Sequence, residues 1–282
     1  MKKERPVNTI PLIKRMAVAP HIVWAILFII APLLFTAYFA FTDKSGNFTL
    51  SNIRGLANDN YIKIFSRSVI LALIATVVCL IIAYPISYVI SKYKGNKQKV
   101  MIMLIMLPMW TNLLIRTYSW MAILEDTGFL NTILGYVGIG PLHMINTEQA
   151  VIFGMIYNFL PYMILPIYSV MSKLDKSLTE VAADLGCNNF KIMTKITLPL
   201  TKSGIVSGIT MVFVPSISTF YISQKLGGGN FDLIGDTIER QFQVANNYNL
   251  GASISLVLMI IILISMAVMN HFADSDEGGM VV

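Results

Sequence analysis

The stretch VILALIATVVCLIIAYPISYVIS, residues 69–91, contains no Asp, Glu, Lys or Arg. A helix rises about 1.5 Å per residue, so an uncharged run of this length reaches across a hydrocarbon layer roughly 30 Å thick. Five further apolar runs lie at 17–41, 100–124, 150–171, 204–223 and 250–271, each bounded by charged or turn-forming residues. Across all 282 residues, 55% are hydrophobic and only 13% charged, a balance that a water-soluble domain of this length does not carry. The expected fold is therefore all-α and integral to the membrane, with six transmembrane helices and little chain left for a soluble domain.

The first run follows a leader containing Lys2, Lys3, Arg5, Lys14 and Arg15. It is longer than the core of a signal peptide and no small-residue cleavage site follows it, so it reads as a retained span. Six spans put both termini on one side. Of the 21 Lys and Arg residues, fourteen fall in the leader, the loop Lys92 to Lys99 and the loop Lys173 to Lys202, against seven elsewhere. The positive-inside rule then places both termini in the cytoplasm. The net charge of +6 reflects this topology and gives no support to nucleic-acid binding, which needs a basic patch on a soluble surface.

No catalytic or metal-binding residues are assigned. Cys79 lies in an apolar run and Cys187 in a polar loop, too far apart in topology to pair, and His21, His143 and His271 are scattered. No Gly-x-x-x-x-Gly-Lys-Ser/Thr phosphate loop occurs, so the chain has no means of hydrolysing ATP.

The loop between the fourth and fifth runs carries the most information. Ser177 and Glu180 have the spacing of a capping box, which predicts a helix start there, and Gly186 stands where a left-handed residue would end it. Val181, Ala182 and Leu185 would share one face, small enough for another protein to approach closely. A second helix is expected over 188–197, stopped by Pro199, with Phe190, Met193, Ile196 and Leu198 as its apolar set.

This loop resembles the coupling segment of permease subunits of ATP-binding-cassette importers: Glu-Ala-Ala, three residues, Gly, nine residues, Ile, one residue, Leu-Pro. Glu180, Ala182, Gly186, Ile196, Leu198 and Pro199 fit that frame, and Val181 replaces its alanine. Residues 107–118, 171–175, 220–228 and 233–235 are further similar to PotB-type permeases of bacterial spermidine/putrescine importers.

The resemblance implies a type I importer permease fold, with an N-terminal segment and first helix over 1–64, a transmembrane domain over 65–271 containing the coupling loop 173–203, and a short acidic cytoplasmic tail over 272–282. It implies a place in the bacterial cytoplasmic membrane as one half of a heterodimer with a PotC-type second permease. A PotA-type ATPase dimer would bind below, holding ATP and Mg that this chain does not bind, and a PotD-type external protein would deliver the polyamine. Val181 and the six frame residues would contact the ATPase, and rigid-body rocking of the spans would give alternating access.

A cationic polyamine needs carbonyls, carboxylates or aromatic faces along its path. The candidates are Trp110, Asn112 and Tyr118 in the third run, Asn158 and Tyr162 in the fourth, and Ser216, Ser218, Thr219, Phe220 and Tyr221 in the fifth. Small polar residues also bind membrane helices together, and Trp and Tyr also anchor at interfaces. Arg116 is expected either to reach the outer headgroups or to pair inside the bundle. Pro108, Pro161, Pro166 and Pro215 would kink their helices.

Two outer segments have helical apolar spacing: Phe129, Leu130, Ile133 and Leu134, and Leu233, Ile234, Ile238 and Phe242 beside Asp236 and Glu239. Gly227, Gly228 and Gly229 read as a flexible turn reaching toward a docked binding protein. Alternatives include an importer permease for another small solute and an ion-coupled secondary transporter. The latter places ionisable residues within its spans, whereas the centres of these six runs have none. An intramembrane hydrolase built on Ser203 or Ser207 lacks a histidine in the central part of any span to activate the serine.

Overall fold

The computed structural model describes residues 20–274, so the basic leader and the end of the acidic tail lie outside the described residues. Regular structure among those residues is helical, apart from one bridge pairing Thr42 with Phe48. Four helices are long and apolar enough to cross a membrane unaided: α1, Pro20–Ala40; α2, Asp59–Lys92; α6, Glu148–Met171; and α12, Tyr248–Asp274, whose apolar part runs to Met269.

The third and fifth runs are not single helices. In the third, the helix Asn96–Trp110 (α3) meets Leu113–Leu124 (α4) and Phe129–Tyr136 (α5) across a bend of 89°. Pro108 has no amide hydrogen to continue the ladder, and its carbonyl instead accepts the Thr111 hydroxyl at 2.7 Å. Asn112 then turns extended and caps α4, its Oδ1 accepting the Leu114 amide at 2.7 Å.

The fifth region bends by 76° between Asn189–Leu200 (α8) and Lys202–Ser218 (α9). Beyond Ser218 the chain unwinds over Thr219 and Phe220 before Tyr221–Leu226 (α10) and Ile234–Gln243 (α11). Between α6 and α8 stands the short helix Lys176–Asp184 (α7).

The centre of the bundle is α2, α6 and α9. Cys79 Sγ donates to Ile156 O at 3.8 Å and Ser87 Oγ to Ile164 O at 3.1 Å, so α2 and α6 run parallel in constant register. α9 runs antiparallel to α6, with Gly204 against Pro166 and Ile167 and Gly208 against Met163. Lipid tails are as apolar as leucine, so helix association here depends on close contact more than on escape from water. The two glycines, spaced by four, supply that contact. A Cβ at Gly204 would lie 2.9 Å from Pro166 O, and one at Gly208 would lie 2.7 Å from Met163 Sδ.

At one end of the bundle, Lys92 Nζ donates to Asn189 Oδ1 at 3.3 Å, bringing the two basic loops together. At the other end, Arg67 Nε meets Glu148 Oε1 at 3.0 Å, and Asn249 Nδ2 donates to Phe39 O at 3.1 Å and Thr42 O at 2.7 Å. α1 touches the remainder through its second half, with Ser253 Oγ donating to Ala40 O at 3.2 Å. The first half presents Trp24, Leu27 and Phe28 outward.

Replacing Gly208 by Leu should force α6 and α9 apart, at a cost of about 1–3 kcal/mol for overpacking. The purified chain in detergent should melt several degrees lower than one carrying Leu at the exposed position Ile264.

Candidate functional site

The knob formed by α7 and the start of α8 follows the expected outline with a different start. Asp175, not Ser177, caps α7: its Oδ1 accepts the Ser177 amide at 3.0 Å. The helix begins at Lys176, which places Ser177 inside the first turn, so the expected capping box with Glu180 does not form at its start. The accepted amide holds the Asp175 carboxyl below its usual range. The far end closes as read: Gly186 has φ +80°, its amide donates to Ala183 O at 2.9 Å, and Cys187 N donates to Ala182 O at 3.0 Å. This paired closure is a Schellman turn, which a residue without Cβ adopts most easily.

The apolar face of α7 is divided. Ala182 is buried, while Val181 and Leu185 face outward, Leu185 at 80% exposure; Phe190 on α8 is 68% exposed. Consecutive helical residues are 100° apart, so Val181 and Ala182 cannot both occupy the centre of one face. The expected shared face therefore reduces to Val181 and Leu185, with Leu178 and Phe190 exposed nearby. Glu180 is exposed, Ile196 half-buried, and Leu198 and Pro199 exposed.

The second helix does not stop at Pro199. Asn188 caps it, its Oδ1 accepting the Lys191 amide at 2.9 Å, and helical structure continues to Leu200. A π-turn over Met193–Thr197 widens the ladder ahead of Pro199 and absorbs its missing amide. The elbow then falls at fully buried Thr201, whose hydroxyl donates to Thr197 O at 2.8 Å and lies 3.3 Å from Tyr84 OH on α2. The knob is thus joined to α9 through one turn and pinned to the central bundle there.

The path candidates separate into four groups. Tyr118 and Tyr221 come together, ring centroids 6.1 Å apart and edge-on at 80°, with Lys225 Nζ 5.3 Å from the Tyr118 centroid. Asn158 and Ser216 are buried; Asn158 donates to Gly154 O at 2.8 Å, while its Oδ1 and Ser216 Oγ have no partner among the described residues. Trp110 is exposed beside the 89° bend, Asn112 is occupied by capping, and Tyr162 is partly exposed with its ring 6.4 Å from Phe159. Ser218 ends α9, and Thr219 and Phe220 form the unwound link after it. Ser218 Oγ bonds back to Val214 O at 3.0 Å, and Phe220 is exposed. Gly235 packs on this link so closely that a Cβ there would lie 2.5 Å from Thr219 O.

Arg116 stands in the first turn of α4, beside the bend and away from the end of the span. Its Nε and Nη1 are buried without a partner among the described residues, so for these two nitrogens neither expected role is met. The glycine turn is packed where flexibility was expected: Gly227 is buried, and Gly228, at φ +61°, lies against the Asn146 side chain. Asn146 N donates to Leu226 O at 2.8 Å, and Asn230 Nδ2 donates to Asn146 O at 3.1 Å.

Asp236, expected on the polar face of α11, is buried. It accepts from Ser223 Oγ at 2.8 Å and from the Leu233 amide at 2.9 Å, and burial pushes its carboxyl up to about 6. Sequence reasoning missed Tyr84, Thr201 and Lys225. The hydroxyl of Thr201, two residues after Pro199, was the available signal for the elbow, and the i, i+4 spacing of Tyr221 and Lys225 for the third.

The model of the family described as binding-protein-dependent transport system inner membrane component matches residues 68–275. The spermidine/putrescine transport system permease protein PotB of Haemophilus influenzae is 37% identical over 256 residues, covering 88% of this chain and 90% of that protein. PotB of Escherichia coli K12 is 36% identical over 246 residues, covering 84% and 90%. Among solved structures, a bacterial ABC transporter involved in the import of the acidic polysaccharide alginate aligns with TM-score 0.80 at 16% identity, covering 94% of this chain and 96% of that one. At that identity the likeness speaks for the fold: a type I importer permease.

Because an added Cβ at Gly186 meets nothing within 4 Å, substitution there tests backbone conformation alone. Gly186→Val should cost roughly 1–2 kcal/mol locally and raise amide exchange across α7, whereas Gly186→Asn, tolerant of the left-handed region, should leave it near wild type. For Asp236, the folded state holds a proton between the ordinary carboxyl value of 3.8 and about 6 that the unfolded state releases. Stability should therefore fall as pH rises through that window, by on the order of 2–3 kcal/mol. Melting of the solubilised chain at pH 5 and 7.5 should show about half of this, roughly 1.4 kcal/mol, because the lower part of the window lies below pH 5, and Asp236→Asn should flatten it.

Proposed function

Since the chain belongs to the family of binding-protein-dependent transport system inner membrane components, we propose that it is the permease subunit of an ATP-driven importer through which spermidine or putrescine enters the cell. The observation that carries this reading is the exposed knob at the basic end of the bundle. Among the described residues, Val181, Leu185 and Phe190 are exposed, Val181 on a helix closed at both ends, Leu185 at its C-cap and Phe190 on the next helix. Exposed apolar side chains grouped in this way mark a protein interface. The occupant is a cytoplasmic ATPase of the PotA type, present as a dimer and carrying the ATP and Mg. Glu180, Val181, Gly186, Leu198 and Pro199 lie at or beside the contact, and Ala182 and Ile196 support it from below.

The two basic loops at the knob end face the cytoplasm by the positive-inside rule, so both termini are cytoplasmic. A PotC-type permease supplies the other wall of the path and a PotD-type external protein delivers the substrate. Their docking sites on this chain are, respectively, the exposed faces beside the path and the opposite end of the bundle. When the ATPases close, the knob moves with them. The Thr201 elbow passes that displacement to α9, because Thr201 is tied both to its own turn and to Tyr84. The far end of α9 is the unwound link beside Tyr118 and Tyr221, so a rigid α9 carries motion from the ATPase contact to the path. Aromatic faces and the carbonyl end of α9 suit an elongated cation.

Proteoliposomes containing the four-component complex should accumulate labelled spermidine or putrescine when ATP and loaded binding protein are supplied, and should not accumulate a labelled neutral amino acid. Collapse of the ion gradients should leave uptake unchanged. Uptake that follows the gradient and ignores ATP would contradict the reading.

A further inference from the structure

We propose that the Tyr118–Tyr221 pair is a seat for a primary alkylammonium group, and that Lys225 fills it with its own ammonium when no substrate is passing. The inference rests on the transport reading above and adds to it a resident competitor for the substrate.

Tyr118 lies on α4 and Tyr221 opens α10, on opposite sides of the unwound link. Their rings meet edge-on, making a corner with two electron-rich faces. Lys225 lies one turn beyond Tyr221. Its Nζ is 5.3 Å from one ring centroid and 5.9 Å from the other, inside the roughly 6 Å range in which a cation is attracted by an aromatic face. Lys225 forms no ion pair among the described residues; its ammonium lies beside the two rings and meets the Tyr118 hydroxyl, which also meets that of Tyr221. Tyr118 is 46% exposed, and Tyr221 and Lys225 are each partly exposed, so the corner is open to a second amine.

Two features of the surroundings favour a cation. α9 ends at Ser218 and directs its carbonyl pole at the link just before Tyr221, where positive charge is stabilised. On the neighbouring α11, Glu239 Oε2 accepts from Gln224 Nε2 at 3.1 Å, which fixes a carboxylate beside the residue preceding Lys225.

The chemistry of the occupant follows from the chemistry of the competitor. A lysine side chain ends in a primary ammonium on a methylene chain, the same terminal group that spermidine and putrescine carry. Any solute that displaces it must offer an equivalent cation, and a neutral or anionic solute has nothing to exchange. A flexible four-carbon stem lets the lysine leave the corner without moving the backbone. The fixed positive charge on the path thereby becomes an exchange step that selects amines, where a rigid cation would only repel them.

The test uses the full-length chain in detergent with its lysines reductively dimethylated by carbon-13 formaldehyde, which keeps their charge. The Lys225 resonance is assigned by its loss in Lys225→Arg. It should lie upfield of solvent-exposed lysines because of the two ring currents. Tyr118→Leu should remove most of that shift. Spermidine should return the signal to the exposed position, and 1,4-butanediol at the same concentration should not. Across the complex, Lys225→Met should lower the spermidine concentration needed for half-maximal displacement of a competing amine by about three- to tenfold. An unshifted Lys225 signal, or a shifted one that spermidine does not move, would overturn the seat. Polyamine uptake by the complex together with either result would leave the transport reading standing. A signal displaced by spermidine in a complex that takes up no polyamine would keep the seat and remove that reading.

Discussion

The structure depends on one constraint: within a bilayer no water is available to satisfy the backbone, so each interruption of a helix must be closed by the protein. Three interruptions among the described residues meet this constraint, the first two with side-chain hydrogen bonds and the third with close backbone packing. At Thr111 and Asn112, two polar side chains bond to backbone groups flanking the break, the Thr111 hydroxyl to the Pro108 carbonyl and the Asn112 side chain to the Leu114 amide. At Thr201, a buried hydroxyl bonds to its own turn and faces Tyr84. After Ser218, Gly235 brings a second segment against the freed carbonyls so closely that no side chain fits between them. All three lie on or beside the route from the exposed knob to the aromatic corner.

That arrangement separates rigid parts from jointed ones. α2 and α6 run in register, and α9 lies on α6 through Gly204 and Gly208, so these helices move together or slide along one smooth contact. The joints at Thr201 and after Ser218 stand at the two ends of α9. In the proposed coupling, a displacement of the knob would pass along α9 to the place where Tyr118, Tyr221 and Lys225 meet. Burial of Asp236 beside the second joint fixes α11 there, through Ser223 and the Leu233 amide.

Much of this was legible in the residues. Six apolar runs, the biased distribution of Lys and Arg, and the spacing from Glu180 to Pro199 led to the helical membrane fold and the coupling loop, because hydropathy and loop glycines act locally. The terminating role of Gly186 was readable for the same reason. What depended on three-dimensional contact was not. Asp175 displaced the Ser177 cap because the helix start is set by which acceptor first meets a free amide, a choice of two residues that spacing does not decide. Pro199 did not stop α8 because a π-turn ahead of it relieved the clash. The Gly227–Gly229 turn looked mobile in sequence, but Asn146, distant in the chain, packs against it. Asp236 looked solvated on an amphipathic helix and is buried beneath α10. The Gly204 and Gly208 pair had a readable spacing, yet the sequence does not say which helix fills the groove.

The most direct measurement of the coupling proposal is site-specific cross-linking of the knob. In a chain with Cys79 and Cys187 replaced by serine, a cysteine introduced as Leu185→Cys would be treated with a short bifunctional thiol reagent in the assembled complex. The expected product is a covalent adduct with the ATP-hydrolysing subunit, whose yield changes when ATP is bound but hydrolysis is blocked. A cysteine at this position that labels freely in the assembled complex and gives no adduct with the ATPase would contradict it.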